Sequence, residues 1–326
     1  MISVEDVESA RRRIRDLINK TPLLRSDYLS DLTGGEVYLK LENLQITNSF
    51  KIRGALNRML NLTAEEKKSG VITASSGNHA QAIAYSATKL KVPAKIVVPR
   101  PTPKVKVERI RKHNVELVLH GEGYDEAEQY AIELSKKEAL TYISPYNDEM
   151  VIAGQGTIGL EILEEIPNVD SILVPVSGGG LVSGIALAAK GTRAAIKILG
   201  VQPEATPAMY ESLKAGKITN VEMRPTLAEA LDGNMEKGSV TFDIAQRYVD
   251  EVLLIKEDVI REAIRLLWKK EKQVAEGGGA IAIAPILEKR DRFAVGTTVA
   301  VISGGNIDAD LFQSITSESL PDLIEK

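Results

Sequence analysis

Short apolar runs rich in β-branched residues alternate with stretches of helical periodicity along nearly the whole chain. That alternation narrows the fold more than any other feature. The runs at 96–98, 117–119, 172–176, 196–201, 252–255 and 298–302 have the composition of strands. Between them, 103–112 and 125–137 place apolar residues at helical spacing, and 258–272 does so with Val259, Ile260, Ala263, Ile264, Leu266 and Leu267. Thr63 and Glu66 form a capping-box pattern, and Gly70 is a plausible stop. Strand–helix alternation predicts an α/β fold of mostly parallel sheets with helices on both faces. A length of 326 residues suggests two domains.

Composition removes several function classes. The charge sum is −4, from 41 basic and 45 acidic residues that are interspersed, so no broad basic field exists for a nucleic acid backbone. Aromatic residues make up only 4%, too few for base-stacking platforms. With no cysteine, disulfides, thiolate nucleophiles and iron–sulfur clusters are excluded. Three histidines without an HExxH pattern leave no expected metal site. The run 171–189 lacks charge, but Pro175 and Gly178 to Gly180 interrupt it, which fits a strand, a glycine loop and a buried helix better than a membrane span. The first residues are too charged for a secretory signal, so a cytoplasmic protein with no membrane partner is expected.

Ligands of parallel sheets sit beyond the carboxyl ends of the strands. Four such places carry chemistry. The run 71–74 leads into Ser75, Ser76, Gly77, Asn78 and His79, followed by a helix expected from Gln81 to Leu90; the loop reads equally as an anion site or as a capped polar turn. The run 172–176 leads into Ser177, Gly178, Gly179 and Gly180, with a helix expected from Leu181. Three glycines exceed the needs of a turn and favour an anion cradle, while the GxGxxG and P-loop patterns of nucleotide sites are missing. The third strand end gives Ser303, Gly304, Gly305 and Asn306, for which a simple glycine turn is a fair competitor. The fourth place is Lys51, set among Phe50, Ile52 and Ala55 ahead of a possible helix. A lone lysine is usually a solvated charge, but a desolvated one loses basicity and can form an imine. An imine-forming lysine, a phosphate cradle and a partner for a ring nitrogen are together what pyridoxal phosphate requires.

At this point the sequence resembles the fold-type II pyridoxal-phosphate enzymes, in the threonine/serine dehydratase and serine racemase branch. The matching stretches are Lys40–Asn43, Ser49–Ala55, Ser76–Gln81, Ile152–Thr157, Gly178–Gly180 and Ser303–Asn306, in the family's order and across most of the chain. The resemblance implies that pyridoxal 5'-phosphate is held by Lys51 as a Schiff base, with Phe50 against its ring and Asn78 on its phenolic oxygen. Ser177, Gly178, Gly179, Gly180 and Leu181 would bind the phosphate, and Ser303 would face the pyridine nitrogen. Ser75, Ser76, Gly77, Asn78 and His79 would receive the carboxylate of an amino-acid substrate. The implied activity is dehydration and deamination of L-threonine to 2-oxobutanoate and of L-serine to pyruvate.

The resemblance also implies a large domain of residues 1–47 and 146–326, a small domain of 48–145, and a homo-oligomer, dimer or tetramer. Asn48 stands where the family usually has glycine. Ser76 stands where dehydratases have alanine and racemases serine, which makes racemisation the alternative activity and Ser76 a candidate catalytic residue beside Lys51. The racemases' metal-binding acids fall on Gln202 and Ala208. Cysteine synthases, a non-catalytic binding protein and a nucleotide-dependent dehydrogenase rank below these readings.

Overall fold

A computed structural model, which describes residues 2–319, has ten strands, seven of them on the apolar runs picked out above. They are β1 (Leu23–Arg25), β2 (Glu36–Leu41), β3 (Val71–Ala74), β4 (Ala94–Val98), β5 (Glu116–Leu119), β6 (Thr141–Tyr142), β7 (Ser171–Pro175), β8 (Lys197–Pro203), β9 (Glu251–Ile255) and β10 (Thr297–Ile302). Two sheets result. The larger has the order β1-β2-β10-β7-β8-β9, and the smaller β5-β4-β3-β6. Every strand pairing is parallel except β1 with β2. The smaller sheet is drawn wholly from 71–142, while the larger draws strands from both sides of that stretch.

The helices form for reasons visible in the chain. Thr63 accepts from the Glu66 N–H at 3.1 Å and Glu66 accepts from the Thr63 N–H at 2.7 Å, the reciprocal cap the sequence suggests. Gly70 then ends the helix at φ 100°. Helix Glu257–Lys269 buries Ile260, Ala263, Ile264, Leu266 and Leu267 against the larger sheet's core, alongside Leu253 and Ile255. The uncharged run 171–189 divides into β7, the glycine loop and helix Gly180–Thr192. No helix among the described residues is long and apolar enough to cross a membrane.

Sequence reading missed some elements. β1 and β6 have three and two residues, too short to show alternation. Helix Glu149–Glu165 is buried nearly all round, so its apolar residues make no clear stripe. The helix after β3 begins at Asn78 rather than Gln81, because Gly77 takes the cap position.

A compact charge cluster joins the elements around the first turn of helix Lys51–Leu60. Arg53 donates to both oxygens of Glu42 at 2.8 Å and to Glu161 at 2.6 and 2.9 Å. Lys40 donates to Glu161 at 2.6 Å and to the Thr21 carbonyl at 2.7 Å. Arg53, Lys40 and Glu42 are wholly buried. The two cations balance the two anions, which is what makes such deep burial tolerable.

Candidate active site

Three of the four places singled out above lie at the carboxyl ends of strands: Ser75 after β3, Ser177 after β7 and Ser303 after β10; the fourth, Lys51, starts a helix and faces Pro145, which follows β6. Backbone bonds tie the lysine loop to the Ser303 loop. Phe50 N–H donates to the Ser303 carbonyl at 3.1 Å, Gly305 N–H to the Asn48 carbonyl at 2.9 Å, and Ser49 bridges Gly304. Asn48 sits at φ 53°. That left-handed conformation suits glycine best and asparagine next, which accounts for Asn48 at a position where the family usually has glycine.

Lys51 is the first residue of its helix. Its Nζ donates to the Pro145 carbonyl at 2.9 Å and lies 5.1 Å from the Phe50 ring centroid. Among the described residues no carboxylate pairs with it directly. Desolvation therefore lowers its pKa to about 8, against the weaker pull of Glu276. Lys51 keeps some accessible surface despite this enclosure, so its amine is neither free in water nor sealed in the core.

The Ser75–His79 loop is held by its own first serine: Ser75 Oγ accepts from the Gly77 N–H at 3.2 Å. The Ser76 hydroxyl has no hydrogen bond within the chain among the described residues. His79 Nε2 lies 3.3 Å from the Ile143 carbonyl, while Nδ1 is buried without a partner. Burial first, and nearby Lys51 second, push His79 down to about 3, so it stays neutral. The first N–H groups of helix Asn78–Leu90 are left for an anion, as at any helix start.

The second loop places Gly179 at φ +90°, the cap of helix Gly180–Thr192. A side chain there would meet Met209 and Thr241, and one at Gly178 would meet the Tyr146 ring. Thr241 Oγ1 donates to the Gly178 carbonyl at 2.6 Å, fixing the loop. The glycines thus satisfy packing as well as leaving N–H groups at the helix start. Leu181 is buried beneath the loop. Ser303 is buried and its hydroxyl lies 3.1 Å from the Gly278 carbonyl, to which it donates, a bond it can exchange by rotating toward a ring nitrogen.

Glu276 is the residue that sequence reading missed. It precedes a second glycine run, Gly277 to Gly279, and its isolation between Ala275 and glycines was the available signal. Asn78 Nδ2 donates to its Oε1 at 2.6 Å. Desolvation raises its carboxyl to about 7, opposed by the bonds from Asn78 and the Asn306 backbone. Among the described residues no group of acids, histidines and cysteines could hold a metal ion.

The family model described as pyridoxal-phosphate dependent enzyme matches residues 14–304. The chain is 44% identical to an L-threonine ammonia-lyase of Thermotoga maritima, over 98% of this chain and 79% of that protein. It is 41% identical to the catabolic L-threonine dehydratase TdcB of Escherichia coli K12, over 97% and 96%. Among solved structures, maize serine racemase superimposes with a TM-score of 0.91 at 33% identity, covering 97% of each chain. The processed form of threonine deaminase isoform 2 from Solanum lycopersicum also gives 0.91, at 36% identity, covering 96% of this chain and 86% of that one.

Proposed function

The chain belongs to the pyridoxal-phosphate-dependent enzyme family, and from that premise we propose that it is a lyase that converts L-threonine to 2-oxobutanoate and ammonia, and L-serine to pyruvate and ammonia. The observation that carries this reading is the placement of Lys51. It is a desolvated amine without an ion-pair partner among the described residues, tied by the backbone to the Ser303 loop and set across from the start of helix Asn78–Leu90. The relatives that match nearly the whole of this chain are named for the L-threonine reaction.

The residues present fit the cofactor. Lys51 would hold it covalently, Phe50 would lie beside its ring, and Asn78 would meet its phenolic oxygen. Ser177, Gly178, Gly179, Gly180 and Leu181 would take its phosphate, and Ser303 its ring nitrogen. When bound, pyridoxal phosphate supplies an electron sink for charge developing at the substrate Cα. The chain supplies the rest. Within the Ser75–His79 loop, the N–H groups of Ser76, Asn78 and His79 orient the substrate carboxylate, while those of Ser75 and Gly77 are spent on the Val97 carbonyl and on Ser75 Oγ and hold the loop in shape. Lys51, with a pKa of about 8, can accept the Cα proton near neutral pH. Neutral His79 adds no competing charge beside it. Loss of the β-hydroxyl as water leaves an enamine, which takes up water and releases ammonia as the 2-oxo acid forms.

The strand ranges support a cleft between a large unit of 1–47 and 146–326 and a small unit of 48–145. Self-association as a dimer or tetramer is part of this proposal, with half-exposed Leu44 and Val274 as candidate apolar contacts. A second reading, racemisation, is favoured by the unbonded Ser76 hydroxyl. Incubation of pure protein with L-threonine and L-serine should yield both 2-oxo acids without added nucleotide. If neither acid forms while the protein holds cofactor, the dehydratase reading is lost.

A further inference from the structure

The amide of Asn78 can be oriented without ambiguity. Asn306 Nδ2 lies 2.9 Å from the Thr47 carbonyl, an oxygen that can only accept. The Asn306 amide nitrogen must therefore face that way, and its other hydrogen goes to Asn78 Oδ1 at 2.7 Å. With its oxygen held there, Asn78 turns its nitrogen to Glu276 Oε1 at 2.6 Å. Asn306 has spent both amide hydrogens, and Asn78 has spent one of two. One N–H of Asn78 remains.

We propose that Glu276 and Asn306 are positioning residues that fix the Asn78 amide in one orientation and leave a single N–H for the cofactor's phenolic oxygen. This rests on the cofactor reading above and extends it to two residues that do not themselves need to touch the cofactor. A freely rotating Asn78 would present its carbonyl oxygen half the time, and two acceptors repel. The backbone reinforces the arrangement: Glu276 N–H donates to the Gly304 carbonyl at 3.1 Å, so the acid and the Ser303 loop are held as one piece.

Glu276 also carries charge into this relay. The charged groups that face it are Lys51 from helix Lys51–Leu60, Lys106 from helix Lys104–Arg111, and Glu229, which Lys106 pairs at 2.7 Å. None of them forms a salt bridge with Glu276, and burial pushes its carboxyl up to about 7 in the cofactor-free fold. A charge that changes at that pH beside Asn78 should move the visible absorption of the bound cofactor.

The test compares full-length native protein with Glu276→Gln, Glu276→Ala and Asn306→Asp. Cofactor affinity is measured by titrating stripped protein, and the visible band is followed against pH. Glu276→Gln keeps the acceptor for Asn78, so its affinity should stay within about threefold of native. Glu276→Ala should bind about tenfold more weakly, the worth of one hydrogen bond. Asn306→Asp, which offers oxygen where Thr47 and Asn78 need hydrogen, should bind more weakly still. The native band should show a transition near neutral pH that Glu276→Gln lacks. Native affinity in both Glu276→Ala and Asn306→Asp, or a transition that survives in Glu276→Gln, overturns the proposal. A native protein with no visible band at all overturns the cofactor reading instead, a separable result.

Discussion

Lys51 and Arg53 stand two residues apart on the first turn of one helix, and their charges meet opposite fates. Burial opposes the charge on Arg53, yet Glu42 and Glu161 outweigh it and drive its pKa further up. Burial likewise works against Glu161, and Arg53 and Lys40 hold its carboxyl below the ordinary range. Arg53 and Glu161 are thereby each pushed further toward their charged forms. On the other side of the helix start, Lys51 and Glu276 are less completely buried and have no ion partner within bonding distance among the described residues. Desolvation wins there, and their pKa values move toward each other, to about 8 and about 7. Desolvation makes a clamp where charge is matched and a proton-handling site where it is not.

The sharpest break of that contrast is Lys51→Ala. Activity should fall on the order of 10,000-fold, since the covalent anchor and the proton acceptor go together. Cofactor-free Lys51→Ala should still fold and melt cooperatively, because the matched cluster at Arg53 is untouched. Steady-state assay and thermal melting check both halves. Normal turnover would place the chemistry on another lysine.

Arg53→Met attacks the other side. It strands Glu42 and shares one lysine among two buried carboxylates, a loss of about 3–5 kcal/mol. Urea unfolding should show the fall in stability before any assay of activity. If Arg53→Met unfolds at the native midpoint, the cluster is not a clamp.

The two regions also differ in how far the sequence disclosed them. Lys51, Gly178 and Ser303 were legible because each lies in a short, unusual pattern, two of them directly after an apolar strand. Their assembly was not, since the bonds joining Phe50 to Ser303 and Gly305 to Asn48 span about 250 residues of chain. Glu276 was hidden because a single acid before glycines looks like a turn. Arg53, Glu42 and Lys40 could be quoted as parts of a pattern without any sign that they meet in the core. Alternation foretold the sheets, and only packing shows which charges are paired.

A pH test sharpens the comparison at smaller scale. Lys51 in the cofactor-free fold titrates near 8, below its ordinary value of 10.5. Between those values the unfolded chain binds the proton and the folded chain does not, so stability rises with pH across that window. Below 8 both forms are protonated and the burial penalty on the charged amine is felt in full. Lys51→Met should therefore melt higher than native at about pH 7, and its advantage should shrink from about pH 8 upward. Glu276 acts in the reverse sense. Its raised pKa makes the folded chain the better proton binder from 4.5 to about 7, so its contribution declines as pH rises through that range. A pH-independent difference between Lys51→Met and native protein would mean that Lys51 is solvated after all.

The smallest expected effect concerns Ser76, which lies between the fixed and the free groups. Racemisation needs a proton donor on each face of the substrate Cα, and Lys51 serves one. A serine that merely braced its loop would show a hydrogen bond to it. Ser75 does that, through Gly77, and Ser76 does not. The Ser76 hydroxyl is thus available to the second face, where the alanine usual in dehydratases would offer nothing. Elimination draws on the same Cα charge and leads to a product that escapes, so dehydration should dominate and D-serine should accumulate slowly. In Ser76→Ala, D-serine should vanish while 2-oxo acid formation stays within about threefold of native. Chiral chromatography of serine left after partial turnover separates the two activities. Equal D-serine from Ser76→Ala would assign the second proton to another donor, and His79 is poorly suited to that role, since its imidazole holds no second proton above about pH 3.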